Sequence, residues 1–153
     1  MIHFIHLRMS TYLLGADHAG FALKERLRLF LAKQRLRVED LSPDAQDGDD
    51  YPDIAQRLAK HVAKHPDAQG ILVCGSGFGM EIAANRFRGV RAVVARTAEE
   101  AHLAREHNHA NILVLGERFT SPTQAEHILT AWMEASPSLA QRHVRRVHKL
   151  DAL

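Results

Sequence analysis

The sequence predicts one α/β domain, a doubly wound three-layer α/β/α sandwich around a parallel sheet of roughly five strands. Three observations lead there. Short runs that are apolar on both faces recur along the chain, as in Gly70 to Cys74 (GILVC). Amphipathic stretches of helical period separate them. A glycine-rich turn, Gly75 to Gly79, joins one such run to the helical stretch that follows it.

The elements follow in order. Thr11 to Ala16 (TYLLGA) is a buried strand. Phe21 to Lys33 carries Phe21, Leu23, Leu27, Phe30 and Leu31 among basic residues, the pattern of an amphipathic helix. Leu36 to Leu41 can form a second strand. Ser42 to Asp50, with Pro43 and Gly48, is a polar loop. Pro52 to Lys64 is helical, its proline tolerated in the first turn. Gly70 to Cys74 is a strand, and a helix begins near Met80 and runs to Phe87. Val90 to Ala95 is a strand, Ala98 to Glu106 a helix and Ile112 to Leu115 a strand. Pro122 to Ala135 and Ser138 to Lys149 complete the set as helices. In such a sheet, ligands bind beyond the carboxyl ends of the strands, near the switch in strand order. That rule marks Ala16-Asp17-His18, Cys74-Gly75-Ser76 and the neighbourhood of Arg96.

Bulk properties narrow the class. With 153 residues, 46% hydrophobic and 25% charged, the chain matches an ordinary globular domain that needs no staple. Residues 1–9 are expected to form an N-terminal extension and 10–150 the domain. No run approaches the ~20 apolar residues of a membrane span. A net charge of +2 is too small to imply nucleic acid. The single cysteine excludes an intramolecular disulfide and suits the reducing cytoplasm.

The segment Cys74-Gly75-Ser76-Gly77-Phe78-Gly79 carries the most chemistry. Its glycines let backbone N–H groups approach a ligand, and a helix start favours negative charge there. The same environment favours a thiolate at Cys74. An anion cradle beside a thiolate could hold an enediolate and shuttle a carbon-bound proton. Other loop motifs fail: Met80 stands where a dinucleotide fingerprint needs glycine, Cys74 and Phe78 flank Ser76 where a hydrolase elbow needs glycines, and no lysine completes a P-loop. A cysteine that merely packs at a strand end is the plainer alternative.

Asp17-His18 offers a carboxylate and an imidazole, or a helix cap. His107-Asn108-His109 closes a helix; His107 suits acid–base work or the helix dipole, and the His-x-His spacing is a weak metal signal. Arg142 and Arg146 share a helix face and could grip one phosphate, with Arg118 as a third candidate. The run RHVRRVHK is short and lacks interleaved aromatics, which disfavours nucleic acid. Asp47, Asp49 and Asp50 lack calcium-loop spacing and read as a solvated loop. Glu81 is a rival base that can face away from the cradle.

Taken together, GADHAGFALK (15–24), DYPDIA (50–55), CGSGFGMEIAANRFRGVRA (74–92), REHN (105–108), NILVLGER (111–118) and RHVRR (142–146) resemble the ribose-5-phosphate isomerase B family, which includes galactose-6-phosphate isomerase subunits. The match spans roughly Tyr12 to Leu150. The resemblance implies a Rossmann-like sandwich, working at the interface of a homodimer or dimer of dimers, without metal or organic cofactor, on a small phosphorylated sugar. It further implies that Cys74 is the base between C1 and C2. His107 would serve ring opening with Asp17 nearby. Ser76 would handle O1 and O2, and the backbone of Gly75, Gly77, Phe78 and Gly79 would form the anion hole. His18, Asn108, Arg118, Arg142 and Arg146 would bind substrate and phosphate, some across the interface. A branch that uses Glu as base has it where this chain has Met80. The chain departs from the family pattern at His109, at Glu81 and in DLSPDAQDGD (40–49). The first two are expected to bear on the choice of sugar. The expected reaction is aldose–ketose isomerisation of ribose 5-phosphate through a cis-enediolate. The alternatives are another sugar phosphate (a tetrose 4-phosphate, allose 6-phosphate or galactose 6-phosphate) or a non-catalytic sugar-phosphate-binding protein.

Overall fold

A computed structural model describes residues 10–44 and 48–153. The expected extension over 1–9 and Asp47 of the acidic loop lie outside the described residues. The chain alternates β1 (Thr11–Ala16), α1 (Phe21–Lys33), β2 (Arg37–Asp40), α2 (Tyr51–Lys64), β3 (Ala68–Cys74), α3 (Phe78–Ala84), β4 (Ala92–Val94), α4 (Ala98–Asn108), β5 (Ile112–Gly116), α5 (Pro122–Glu134) and α6 (Gln141–Asp151). The strands lie in the order β2-β1-β3-β5-β4. All four pairings are parallel. The order reverses between β1 and β3, so the loops after these two strands flank the switch point.

Strand period divides the core in two. Tyr12, Leu14, Ile71, Val73, Leu113 and Leu115 face one side, against Leu23, Leu27, Leu31, Ile128 and Trp132 of the helices there. Leu13, Leu72, Cys74, Ile112 and Val114 face the other, against Ile54, Leu58, Val62 and Met80. Cys74 therefore points toward α2 and α3. Among the described residues no helix is long and apolar enough to cross a membrane.

The elements differ from the sequence reading mainly at β4 and α3. The strand expected over 90–95 is only Ala92–Val94. It is an edge strand, and α3 covers its outward amides with side chains. Asn85 Oδ1 accepts from the Ala92 N–H at 2.8 Å, and Glu81 Oε1 accepts from the Val94 N–H at 2.9 Å. Capping an edge in this way keeps it from pairing with another chain. Val90 and Arg91 are diverted from the strand: the Val90 N–H turns back to the Phe87 carbonyl, and the Arg91 N–H donates to Asn111 Oδ1. Helix α3 starts at Phe78, two residues before the expected Met80, because Gly77 takes the left-handed conformation (φ +88°) that turns the chain straight into it.

Candidate active site

At the switch point the ends of β1 and β3 meet. Asp17 is buried and accepts the Gly20 N–H on Oδ1 at 3.0 Å, so it caps the turn that launches α1. Burial pushes its carboxyl above the usual carboxylate value, against the opposing pull of the Gly20 hydrogen bond. His18 is held by Asp49: Oδ1 of Asp49 accepts the His18 N–H at 2.9 Å and lies 3.0 Å from its Nδ1. Asp49 thus has a partner in the site, where the sequence suggested a solvated loop.

Cys74 ends β3 with its side chain 4% exposed. The Gly77 N–H donates to its sulfur at 3.1 Å, and a donated hydrogen bond stabilises negative charge there. The Gly75–Gly79 loop runs on from Cys74 into α3. Arg118 closes one side: its N–H donates to the Gly75 carbonyl at 3.0 Å and its guanidinium lies beside Gly75. The Tyr51 ring packs against Gly79 on another side. Phe78 and Phe119, both substantially exposed, hold the Arg96 guanidinium 5.4 and 5.5 Å from their ring centroids, an aromatic rim around a cation. Met80 is fully buried beneath the loop. Glu81 is committed to the edge of β4 rather than to the cradle.

The remaining candidates stand elsewhere. Helix α4 runs back from the carboxyl end of β4 toward the amino end of β5. Its eleven residues span about 16 Å, so His107 and Asn108 lie at the opposite edge of the sheet from Cys74. Arg142 and Arg146 lie there too, on α6, where the Ser138 N–H donates to the Glu106 carbonyl and the His107 and His143 rings approach to 4.4 Å. One chain therefore holds the candidates in two separate groups. Asp17, His18, Cys74, Ser76 and Arg118 stand at the carboxyl edge of the sheet; His107, Asn108, Arg142 and Arg146 stand at the amino edge.

His109 belongs to neither cluster's polar face. It ends α4 in the left-handed conformation (φ 50°), its Nε2 lies 2.9 Å from the Ser138 carbonyl, and its own carbonyl accepts from Arg91 Nε. It serves as a helix terminator that ties down the next loop. The sequence reading missed two residues. Tyr51 is a wall of the cradle, signalled only by its place in DYPDIA. His143 is a buried partner of Arg142, and its place between two arginines drew attention to them instead. Among the described residues no three His, Cys, Asp or Glu side chains group so as to hold a metal ion.

A buried thiol that accepts a backbone N–H, at the switch point of a doubly wound sheet, places the chain in the class of α/β proteins that bind small ligands beyond their strand ends. Comparison with known proteins is more specific. The ribose/galactose isomerase family profile matches residues 13–150. Ribose-5-phosphate isomerase B of Escherichia coli is 37% identical over 145 residues, covering 95% of this chain and 97% of that protein. A ribose 5-phosphate isomerase of Thermotoga maritima superposes with a TM-score of 0.89 at 38% identity, covering 94% of this chain and 99% of the other. Ribose-5-phosphate isomerase B of Mycoplasma genitalium, solved with bound ribulose 5-phosphate, gives 0.88 at 35% identity over 93% of this chain and 94% of the other. The chain belongs to the ribose/galactose isomerase family.

Proposed function

We propose that this protein interconverts ribose 5-phosphate and ribulose 5-phosphate, with Cys74 as the base. The observation that carries the reading is the buried Cys74 sulfur at the start of the glycine loop, with the Gly77 N–H on it at 3.1 Å. The ribulose 5-phosphate bound in a relative of similar fold supports the choice of sugar.

The chemistry follows from these groups. His107 takes a proton from the ring hydroxyl or gives one to the ring oxygen as the furanose opens. The Cys74 thiolate removes the C2 proton of the aldose. Its electron pair forms the C1–C2 double bond, and the former carbonyl oxygen gains negative charge in a cis-enediolate. The amides of Gly75 to Gly79 stabilise that charge where it develops. The Ser76 hydroxyl passes a proton between O1 and O2, and the Cys74 thiol returns its proton to C1. His18 and Arg118 hold the sugar from one side. His107, Asn108, Arg142 and Arg146 reach it only from a second copy, because within one chain they lie at the other edge of the sheet. The working unit is thus a homodimer with sites at its interface, or a dimer of dimers. A base that must stay a free thiol suits the reducing cytoplasm.

Two single variants test this. Cys74→Ala is expected to lose roughly 10²–10⁴-fold in kcat together with solvent-deuterium uptake at C2. His107→Ala is expected to lose ring opening. Equal mixing of the two, with subunit exchange, should restore roughly a quarter of the sites, since half the dimers are mixed and each mixed dimer has one intact site. Deuterium uptake by Cys74→Ala at the wild-type rate removes Cys74 as the base. Absence of any restored activity in exchanged mixtures removes the shared site.

A further inference from the structure

The group at the amino edge contains a histidine with no role in the reaction above. Between the exposed Arg142 and Arg146, His143 turns inward and is 6% exposed. Its Nε2 accepts the Arg142 Nε–H at 3.2 Å. Its Nδ1 is buried and has no hydrogen-bond partner among the described residues. We propose that His143 is a positioning residue: as a neutral acceptor it aims the Arg142 guanidinium at the phosphate of the substrate, and its protonation releases that arginine in acid. This rests on the reading of Arg142 as a phosphate ligand.

An imidazole whose Nε2 accepts a hydrogen bond carries its single proton on Nδ1. Arginine cannot give up its own proton to suit the partner. A second proton on His143 therefore sets N–H against N–H, and the bond is lost. It also places a cation among cations. The groups that face His143 are His107 and Glu106 from α4 and Arg142 and Arg146 from its own helix. Glu106 is the one attractive partner among them. Its carboxylate is already divided between His107 Nε2 at 3.5 Å and His102 Nε2 at 3.6 Å. Burial pushes the His143 imidazolium down from the ordinary histidine value, and His107, Arg142 and Arg146 push the same way. The acceptor state therefore holds at neutral pH and fails only in acid. Burial frees the side chain from competition with water, and a fixed acceptor removes rotamer freedom that a lone exposed arginine would lose on binding phosphate.

The test uses the full-length protein, two variants and inorganic phosphate as the probe, read by calorimetric titration at pH 7.5 and 5.5. His143→Leu removes the acceptor; His143→Gln keeps an acceptor oxygen that does not titrate in this range. Thermal melts establish that both are folded. At pH 7.5, His143→Leu is expected to bind phosphate about tenfold more weakly than wild type, and His143→Gln within about twofold. At pH 5.5 the advantage of wild type over His143→Leu should shrink, while that of His143→Gln persists. In turnover, the same order should appear in KM for ribose 5-phosphate, with kcat much less affected. The imidazole nitrogen shifts of wild type should report the Nδ1–H tautomer. Equal phosphate binding by wild type and His143→Leu overturns the proposal. So does a glutamine variant no better than leucine, or an Nε2–H tautomer. If wild type fails to isomerise ribose 5-phosphate, the functional reading falls, and phosphate binding and the tautomer still decide the role of His143.

Discussion

Gly20 offers the sharpest test of how the fold holds Cys74. A Cβ there would stand 2.4 Å from both the carbonyl carbon and oxygen of Val73 and 2.7 Å from the Cys74 nitrogen. Ordinary contact begins near 3.4 Å, so Gly20→Ala requires an opening of about 1.0 Å. All three neighbours are backbone, and no rotamer change can relieve them. If the turn before α1 retreats, the Gly20 N–H leaves Asp17 Oδ1. If the end of β3 retreats, Cys74 moves relative to the Gly77 amide. Either route costs about 1–3 kcal/mol of stability, by analogy with overpacked cores. A shift of about 1 Å at a reacting group costs on the order of 10²-fold in rate. Urea denaturation and kcat/KM measure the two losses separately. Gly48→Ala is the control: it meets nothing within 4 Å but has φ +78°, so it should lose roughly 1 kcal/mol and keep its activity. A Gly20→Ala protein as stable and active as wild type would refute the close contact between the turn before α1 and the end of β3.

Two further outcomes follow from buried charge. Lys24 is fully buried, with Nζ 2.7 Å from Asp40 Oδ2, 2.7 Å from the Ser42 carbonyl and 3.0 Å from Glu25 Oε1. Lys24→Met leaves Asp40 and that carbonyl unpaired and should cost about 3–5 kcal/mol in a denaturant titration; a loss under about 1 kcal/mol would contradict the assignment. Activity should fall as well, because Ser42 Oγ accepts the Ala16 N–H just before Asp17. Asp17→Asn keeps an acceptor for the Gly20 N–H and removes the charge. Since the folded carboxyl titrates above its unfolded value of about 3.8, its ionisation opposes folding: its stabilising contribution is present below the unfolded value and is lost as pH rises through the folded one. The variant should therefore be as stable as wild type or more so at pH 7, with a flatter pH profile above 3.8, and should turn over at least about tenfold more slowly. A clear drop in its melting temperature would show that the charge itself holds the turn.

What the sequence made legible, and what it hid, divides along physical lines. Strands β1, β3 and β5 are buried on both faces, so apolar composition alone marks them. The amphipathic period likewise bounds α1, α2 and α5 to within a residue or so. Strand β4 was overread because its ends are set by side chains from elsewhere, Asn85, Glu81 and Asn111, and no local pattern records such bonds. Glu81 and His109 looked like site residues for the same reason: they stand near motif positions in sequence. Yet their polar atoms are taken up by an edge amide and a loop carbonyl. At these two positions the departures from the family pattern are tied to the scaffold by those bonds. The separation of the candidate residues into two groups has a different origin. Motif order along the chain says nothing about which edge of the sheet each motif occupies, whereas the parallel topology does: a loop that follows a strand and a loop that follows its helix stand at opposite edges. Cys74 ends a strand and His107 lies in the last turn of a helix, so no rotamer within one chain can bring them together. The same rule puts Arg142, and the histidine that holds it, with His107. The proposed dimer thus rests on topology together with chemistry, and the exchange of Cys74→Ala with His107→Ala subunits tests the two at once.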